Sequence, residues 1–314
     1  MNPLSTIYGG MVGARNALYD RGFSHAYRLQ GPVVSVGNLS AGGSGKTPFV
    51  MLLGELLKAR GVRFDVLSRG YGRKSRGALL VDPDGLPQHF GDEPLLIARK
   101  LGVPVIVGEE RYEAGRLAES KFGAQFHLLD DGFQHRMLAR DFDIVLVTPQ
   151  DASDQLLPAG RLREPLASLS RADSIVLASG ATAESFPLVG KLVWRVRRGI
   201  ATQNVPPRPV VFCGIARPQT FVLQLRAAQI EPAAEAFYRD HHAYSEKDVR
   251  ELLALKQKSE AGGFVTTEKD AINLGPYLSA LEPLSVIPVR MELADATNAL
   301  DTMLRVIEER KRRA

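Results

Sequence analysis

Apolar positions along this chain switch repeatedly between two periods. Val33-Val34-Ser35-Val36 is a short apolar run that reads as a buried strand, and beyond a glycine-rich turn Phe49, Leu52, Leu53, Leu56 and Leu57 recur at helical spacing. The succession then repeats. Gly61 marks a stop before a strand over 62–67, residues 77–87 look like a hairpin excursion, and Leu95, Leu96, Ile97 and Leu101 mark a helix closed by Gly102. A strand over 103–107, a helix over 111–122, an apolar strand from Phe126 ending in acidic residues, and strands over 142–147 and 174–178 complete the series. Strands alternating with helices from about 33 to 180 predict an α/β fold with a doubly wound, mostly parallel sheet.

Both ends depart from this rhythm. Leu4, Ile7, Tyr8, Met11, Val12, Leu18 and Tyr19 lie at roughly helical spacing with Arg15, Arg21 and Arg28 among or after them. Such an amphipathic helix packs on its own domain or lies in a membrane interface, and the pattern alone leaves both open. From about 180 the character changes. Residues 191–196 alternate like a half-exposed strand, Pro206-Pro207 breaks the chain's regular structure, and 209–216 begins a new strand–turn–helix unit. A helix capped by Ser245 and a strand over 263–270 ending in polar residues come next, and 286–292 is expected to return beside 191–196 as a two-stranded bridge. The expected organisation is a first domain over 1–190 completed by a C-terminal helix over 293–314, a smaller α/β domain over 205–287, and linker strands over 191–204 and 288–292.

Composition narrows the class. With 314 residues, 45% hydrophobic and 24% charged, the chain has ample capacity for a buried core. The single cysteine, Cys213, rules out an internal disulfide and reads as a core residue of a protein in a reducing compartment. No apolar run of membrane-spanning length and no signal-peptide core is present, so the expectation is a chain that neither spans a membrane nor is exported. A net charge of +5 suggests an anionic partner. Nucleic acid is not expected as that partner, because the basic residues are dispersed rather than set along one recognition helix.

The chemistry centres on the turn after the first strand. In Ser40-Ala41-Gly42-Gly43-Ser44-Gly45-Lys46-Thr47 successive backbone N–H groups at a helix start can wrap a phosphate, with Lys46 reaching the β and γ oxygens and Thr47 holding Mg²⁺. The pattern departs from G-x-x-x-x-G-K-[ST] at its first position, where Ser40 stands for glycine. The blander alternative is a solvated glycine turn. Asp130 and Asp131, with Gln134 and His135 close behind, end a strand where a phosphate-loop protein needs carboxylates to orient Mg²⁺. The alternative for Asp130 is to accept backbone hydrogen bonds and nothing more. Arg69, Tyr71 and Arg73 lie in a basic turn at the expected carboxyl edge of the sheet, and residues 156–165 form another basic loop there. Asp92 precedes an apolar periodic run, where an aspartate is commonly a cap. Candidate bases for an acceptor hydroxyl are Asp92, Asp130, Asp131, His135, His241 and His242.

Seven motifs occur in one order: V-G-N-L-S-A-G-G-S-G-K-T-P (36–48), S-R-G-Y-G-R (68–73), G-D-E-P (91–94), L-L-D-D-G-F-Q-H (128–135), L-P-A-G-R-L-R-E-P (157–165), D-H-H-A-Y (240–244) and T-T-E-K-D (266–270). Together, over nearly the whole chain, they closely resemble the tetraacyldisaccharide 4'-kinase family of lipid A synthesis in Gram-negative bacteria. The resemblance implies a P-loop NTPase-like first lobe, a second lobe joined by a two-stranded linker, and ATP and Mg²⁺ as cofactors. It implies γ-phosphoryl transfer to the 4'-hydroxyl of tetraacyldisaccharide 1-phosphate, giving lipid IV-A, with the N-terminal helix on the cytoplasmic face of the inner membrane and no obligate protein partner.

By position, Ala41 to Thr47 resemble the nucleotide loop, with Lys46 on the phosphates. Thr47, Asp131, Asp130 and Gln134 resemble the metal set. Asp92 falls on the aspartate that acts with a histidine of the second lobe; His241 is the choice for that partner and His242 stays open. Arg69, Tyr71 and Arg73 resemble the loop that meets the lipid headgroup. The competing reading is a P-loop nucleotide-dependent switch or metal-delivery GTPase. It needs a guanine-selecting N-K-x-D, and Lys269-Asp270 is the nearest fragment, without the Asn.

Overall fold

All six residues of β1 (Val33–Asn38) are buried, as a strand covered on both faces in a parallel sheet requires. The computed structural model describes residues 2–123 and 125–313; Met1, Ala124 and Ala314, which the expected domain ranges include, lie outside the described residues. Before β1 runs α1 (Pro3–Asp20). After it come α2 (Lys46–Ala59), β2 (Phe64–Ser68), β3 (Leu79–Leu80), α3 (Pro87–Phe90), α4 (Asp92–Leu101), β4 (Val105–Val107) and α5 (Arg111–Phe122). Then β5 (Phe126–Asp130), β6 (Phe142–Val147), β7 (Ser174–Leu177) and β8 (Leu192–Ile200) follow. The remainder is β9 (Val210–Cys213), α6 (Pro218–Ala227), β10 (Ala234–Phe237), α7 (Glu246–Lys258), β11 (Phe264–Thr267), α8 (Glu268–Leu274), β12 (Leu284–Ile287), β13 (Val289–Leu293) and α9 (Ala296–Arg313).

The larger sheet has nine strands in the order β13-β8-β7-β6-β1-β5-β2-β4-β3, parallel throughout except for β3 on β4 and β13 on β8. β1 lies between β5 and β6, with Val36 opposite Asp130 and Ile144. The glycine-rich turn therefore leaves the sheet near its centre, at the carboxyl ends, beside the acidic end of β5, where open α/β sheets bind ligands. Phe49, Leu53 and Leu57 of α2, Leu95 and Leu101 of α4, and Leu300, Met303 and Ile307 of α9 share one buried cluster with that sheet. Burying each such side chain contributes about 1.5–3 kcal/mol, so α2 and α4 are held firmly by their apolar faces while their N-termini face the ligand edge.

The smaller sheet, β10-β9-β11-β12, is all parallel. Ser245 and Asp248 form a capping box that starts α7. Cys213 is buried in this lobe, and burial, with Asp270 nearby, pushes its thiol up to about 12, which fits a core residue.

The bridge differs from expectation. Val286 and Ile287 belong to β12 and complete the smaller sheet, and only Val289–Leu293 pairs with β8, against residues 196–200 rather than 191–196. Pro288 lies at the switch; it has no N–H to give to a ladder, so the chain leaves one sheet there and enters the other. β10 was not anticipated, since Ala-Glu-Ala-Phe carries little strand preference and is held by pairing with β9. Among the described residues no helix is long and apolar enough to cross a membrane.

Candidate active site

Gly42 and Gly45 adopt φ of +90° and +88°, a region that favours glycine, and they turn the chain so that Lys46 becomes the first residue of α2. Ser40 is different. It lies in extended backbone bridged to Leu162, fully buried, so the position that usually carries the first glycine needs none here. The bridge continues on either side, with Ala41 donating to the Arg161 carbonyl at 2.7 Å and Arg163 donating to the Leu39 carbonyl at 2.6 Å. The basic loop of residues 157–165 is thereby laid directly along the phosphate loop.

That contact brings in Asn38 and Arg163, to which the sequence pattern assigned no role. Lys46 Nζ donates to Asn38 Oδ1 at 3.0 Å and stands 3.5 Å from Asp131. Arg163 donates to both Asp131 carboxylate oxygens, at 2.9 and 3.1 Å, and also to Asn38 Oδ1. Burial pushes the Asp131 carboxyl up, but Lys46 and Arg163 outweigh it and hold it well below the usual carboxylate range.

Asp130 has the opposite environment. Its side chain is buried, Oδ2 accepts only Ser68 Oγ at 3.3 Å, and Oδ1 has no partner. Burial, reinforced by Glu93 and Asp131, pushes it up to about 7. A buried carboxylate oxygen without a donor, next to Asp131 and within the field of Lys46, suits a hard cation that takes one or two carboxylates and completes its shell with phosphates and water. No cluster of three or more His, Cys, Asp and Glu that could cage a metal by itself occurs among the described residues. Gln134 donates to the Asn38 carbonyl at 2.9 Å and leaves its Oε1 buried without a partner. His135, counted among the candidate bases on sequence grounds, is depressed to about 4 by burial and by Arg111, Arg140 and Arg69.

Asp92 opens α4 behind Gly91, whose φ is +89°. The N-cap position is thus Gly91, and Asp92 is buried with a carboxylate that collects donors from both lobes. His241 Nδ1 is 3.0 Å from each carboxylate oxygen, Asn273 donates at 2.9 Å, and the Glu93 N–H donates at 2.9 Å. Burial raises this carboxyl, and His241, Lys269 and Asn273 together bring it below its ordinary value. His242 faces away, with Nε2 3.2 Å from Asp248 and its ring stacked on Tyr238. Tyr71 is largely exposed and sets its ring 5.0 Å from that of His241. Arg69 is exposed at the same edge, whereas the Arg73 side chain is buried and spent on Glu109 at 2.8 Å and the Gly77 carbonyl at 2.7 Å, tying its own loop together. Lys269 and Asn273, four apart on α8, were invisible as dyad neighbours; the i, i+4 spacing behind T-T-E-K-D was the one signal that they share a face.

One end of the site therefore offers a phosphate loop with a cation-ready carboxylate pair, and the other an ionised carboxylate oriented by an imidazole. Such a pair of ends can move a phosphoryl group from a nucleotide to a hydroxyl.

Known proteins resemble this chain over nearly its whole length. A profile of the family described as tetraacyldisaccharide-1-P 4'-kinase (LpxK) matches residues 1–308. The tetraacyldisaccharide 4'-kinase of Koribacter versatilis (strain Ellin345) is 51% identical, over 99% of this chain and all of its own length. That of Geobacter metallireducens is 37% identical over 93% of each. The crystal structure of LpxK from Aquifex aeolicus in complex with ATP superposes with a TM-score of 0.81 at 36% identity, covering 97% of this chain and 98% of that one.

Proposed function

The chain belongs to the tetraacyldisaccharide-1-P 4'-kinase family, as an ATP-dependent kinase of lipid A biosynthesis, and from that premise we propose how its own residues carry the transfer. The reaction moves the γ-phosphoryl group of ATP to the 4'-hydroxyl of tetraacyldisaccharide 1-phosphate and yields lipid IV-A. The loop from Ala41 to Thr47 holds the phosphates, with Lys46 released from Asp131 and Asn38 to meet them. Asp92 takes the proton as the hydroxyl O–H bond breaks; the new O–P bond forms as the bond from Pγ to the bridging oxygen breaks, and that electron pair leaves with ADP. Asp92 stays ionised in the resting enzyme because His241 and Asn273 donate to it.

Thr47, Asp131, Asp130 and Gln134 would hold Mg²⁺, which would supply charge neutralisation at the phosphate oxygens. Arg163, now on Asp131, would add its charge to the same end of the site. Arg69 and Tyr71 edge the entrance for the sugar headgroup, and Arg73 shapes their loop. Residues 1–190 with the C-terminal helix act as the nucleotide lobe and 205–287 as the lobe that brings His241. The exposed side chains Leu4, Ile7, Met11 and Leu18 of α1 support a peripheral seat on the cytoplasmic face of the inner membrane.

The observation that carries this reading is the Asp92–His241 pair, formed across the two lobes at the edge where the phosphate loop opens. ATP-dependent labelling of a tetraacylated disaccharide 1-phosphate in mixed micelles tests it. Lys46→Ala should lose at least about 100-fold in rate, and Asp92→Ala should lower kcat by a similar factor with little change in KM for ATP. Equal losses in kcat and ATP affinity for Asp92→Ala would reduce that residue to a helix-end role.

A further inference from the structure

Lys269 occupies a place in this site that the transfer reaction leaves without a task. Its ammonium group stands 3.2 Å from His241 Nε2, 3.0 Å from Asp240, 3.5 Å from Glu93 and 3.9 Å from Asp92. Its side chain is only 15% exposed. Burial alone would lower its pKa, but Asp92, Glu93 and Asp240 raise it more, so the group is an ammonium throughout the working pH range.

An ammonium has three protons and no lone pair. Facing Nε2 within hydrogen-bond distance, it can only donate, and the ring nitrogen must accept. The ring proton then sits on Nδ1, which is the atom 3.0 Å from both oxygens of Asp92. Free imidazole has no such constraint. With the proton on Nε2 instead, an Nδ1 lone pair would face a buried carboxylate, and both the attraction and the orientation of Asp92 would be lost. Among the described residues the charged groups against the ring are Asp92 from α4, Asp240 in its own loop and Lys269 from α8, with Glu93 beyond them on Lys269 and the Tyr71 ring near the imidazole. Lys269 is the one cation among them.

We infer that Lys269 is a positioning residue for the transfer reaction: by donating to His241 Nε2 it holds the imidazole in the Nδ1–H tautomer, aimed at Asp92. Lys269 makes and breaks no bond to substrate. Asn273 assists from the same face of α8 by fixing Asp92 Oδ2 at 2.9 Å. The geometry also accounts for T-T-E-K-D as a motif: Thr267 caps α8 by accepting from the Asp270 N–H, and the capped first turn presents Lys269 to the other lobe.

This inference rests on the reading of Asp92 as the base, and its test separates the two. Imidazole ¹⁵N spectra of the full-length protein at about pH 8.5, with the His241 signals identified by their loss in His241→Asn, report the tautomer without any turnover. The expected result is a protonated Nδ1 and an unprotonated Nε2 in the wild type. In Lys269→Met the Nε2 signal should move toward the protonated form, kcat should fall about tenfold or more with KM for ATP within about threefold, and the acid limb of the kcat profile should shift to higher pH, because the ammonium charge no longer opposes protonation of the ring or of Asp92. Lys269→Arg should move all of these back toward wild type. An Nε2–H signal in the wild type overturns the inference whether or not the variants fold, as does a Lys269→Met enzyme with unchanged tautomer and acid limb. Loss of lipid phosphorylation in the wild type would instead overturn the kinase roles and leave the tautomer result standing.

Discussion

Asn16 and Glu164 lie 148 positions apart and meet at 2.7 Å inside the protein, with Glu164 wholly buried. Arg171 completes the site at 2.9 Å. Burial pushes the Glu164 carboxyl up, and Arg171, Asn16 and Ser168 outweigh it and hold it below its ordinary 4.5. The folded pKa is therefore below the unfolded one, so the stabilisation is whole above about pH 4.5 and is lost as pH falls through the folded value. Glu164→Gln should cost about 1–3 kcal/mol at neutral pH, and chemical denaturation should show the gap to wild type closing below about pH 4.5. A gap that stays constant down to pH ~3 would mean that ionisation of Glu164 carries none of it. Residues of this kind show what one sequence conceals. Lys46 and Thr47 are legible because their neighbours in the chain define their task, whereas Arg163 and Glu164 read only as part of a basic loop until their partners are in place. The roles given to Asp92 and His241 came from the family resemblance, since each by itself reads as a cap or a loop histidine.

Among the elements, α1 shows how a periodic stripe divides once it is packed. Val12 and Asn16 face inward, and the Tyr8 hydroxyl donates to the Arg163 carbonyl at 3.0 Å, so one side of the helix is seated on the loop that lies along the phosphate site. Leu4, Ile7 and Met11, at spacings of three and four, are each more than 60% exposed, and Phe23 beyond the helix is 74% exposed. The sequence pattern contained both faces but did not say which apolar residues belonged to which. Replacing Leu4, Ile7 and Met11 by Ser should leave the melting temperature within about 2 °C and weaken partition onto anionic vesicles by about tenfold per residue, as flotation can measure. Unchanged flotation would remove the membrane role from this face.

At the scale of the whole molecule, the two lobes meet through α4 and α8, where Lys100 pairs with Glu268 alongside the Asp92 contacts, and through the β8–β13 ribbon. A Cβ at Gly43 would stand 3.6 Å from Ala216 of the smaller lobe, so the phosphate loop is close to both. ATP binding should consequently stabilise the molecule as a unit. At about 100 times its Kd, ATP should add about 2.7 kcal/mol, raising the melting temperature by about 4 °C in a chain of this size. Lys46→Ala should abolish most of that rise, and a rise retained in full by the variant would place the nucleotide elsewhere. The alternation of strands and helices, the start of α2 at Lys46 and the capping of α7 by Ser245 were determined by the sequence, because each depends on residues within a few positions of one another. The tertiary structure alone decided that β13 pairs with residues 196–200 of β8, that Arg163 clasps Asp131, and that His241 rather than His242 reaches Asp92 across 149 positions. Those outcomes depend on which buried faces pack together over long separations, and no local period encodes such a pairing.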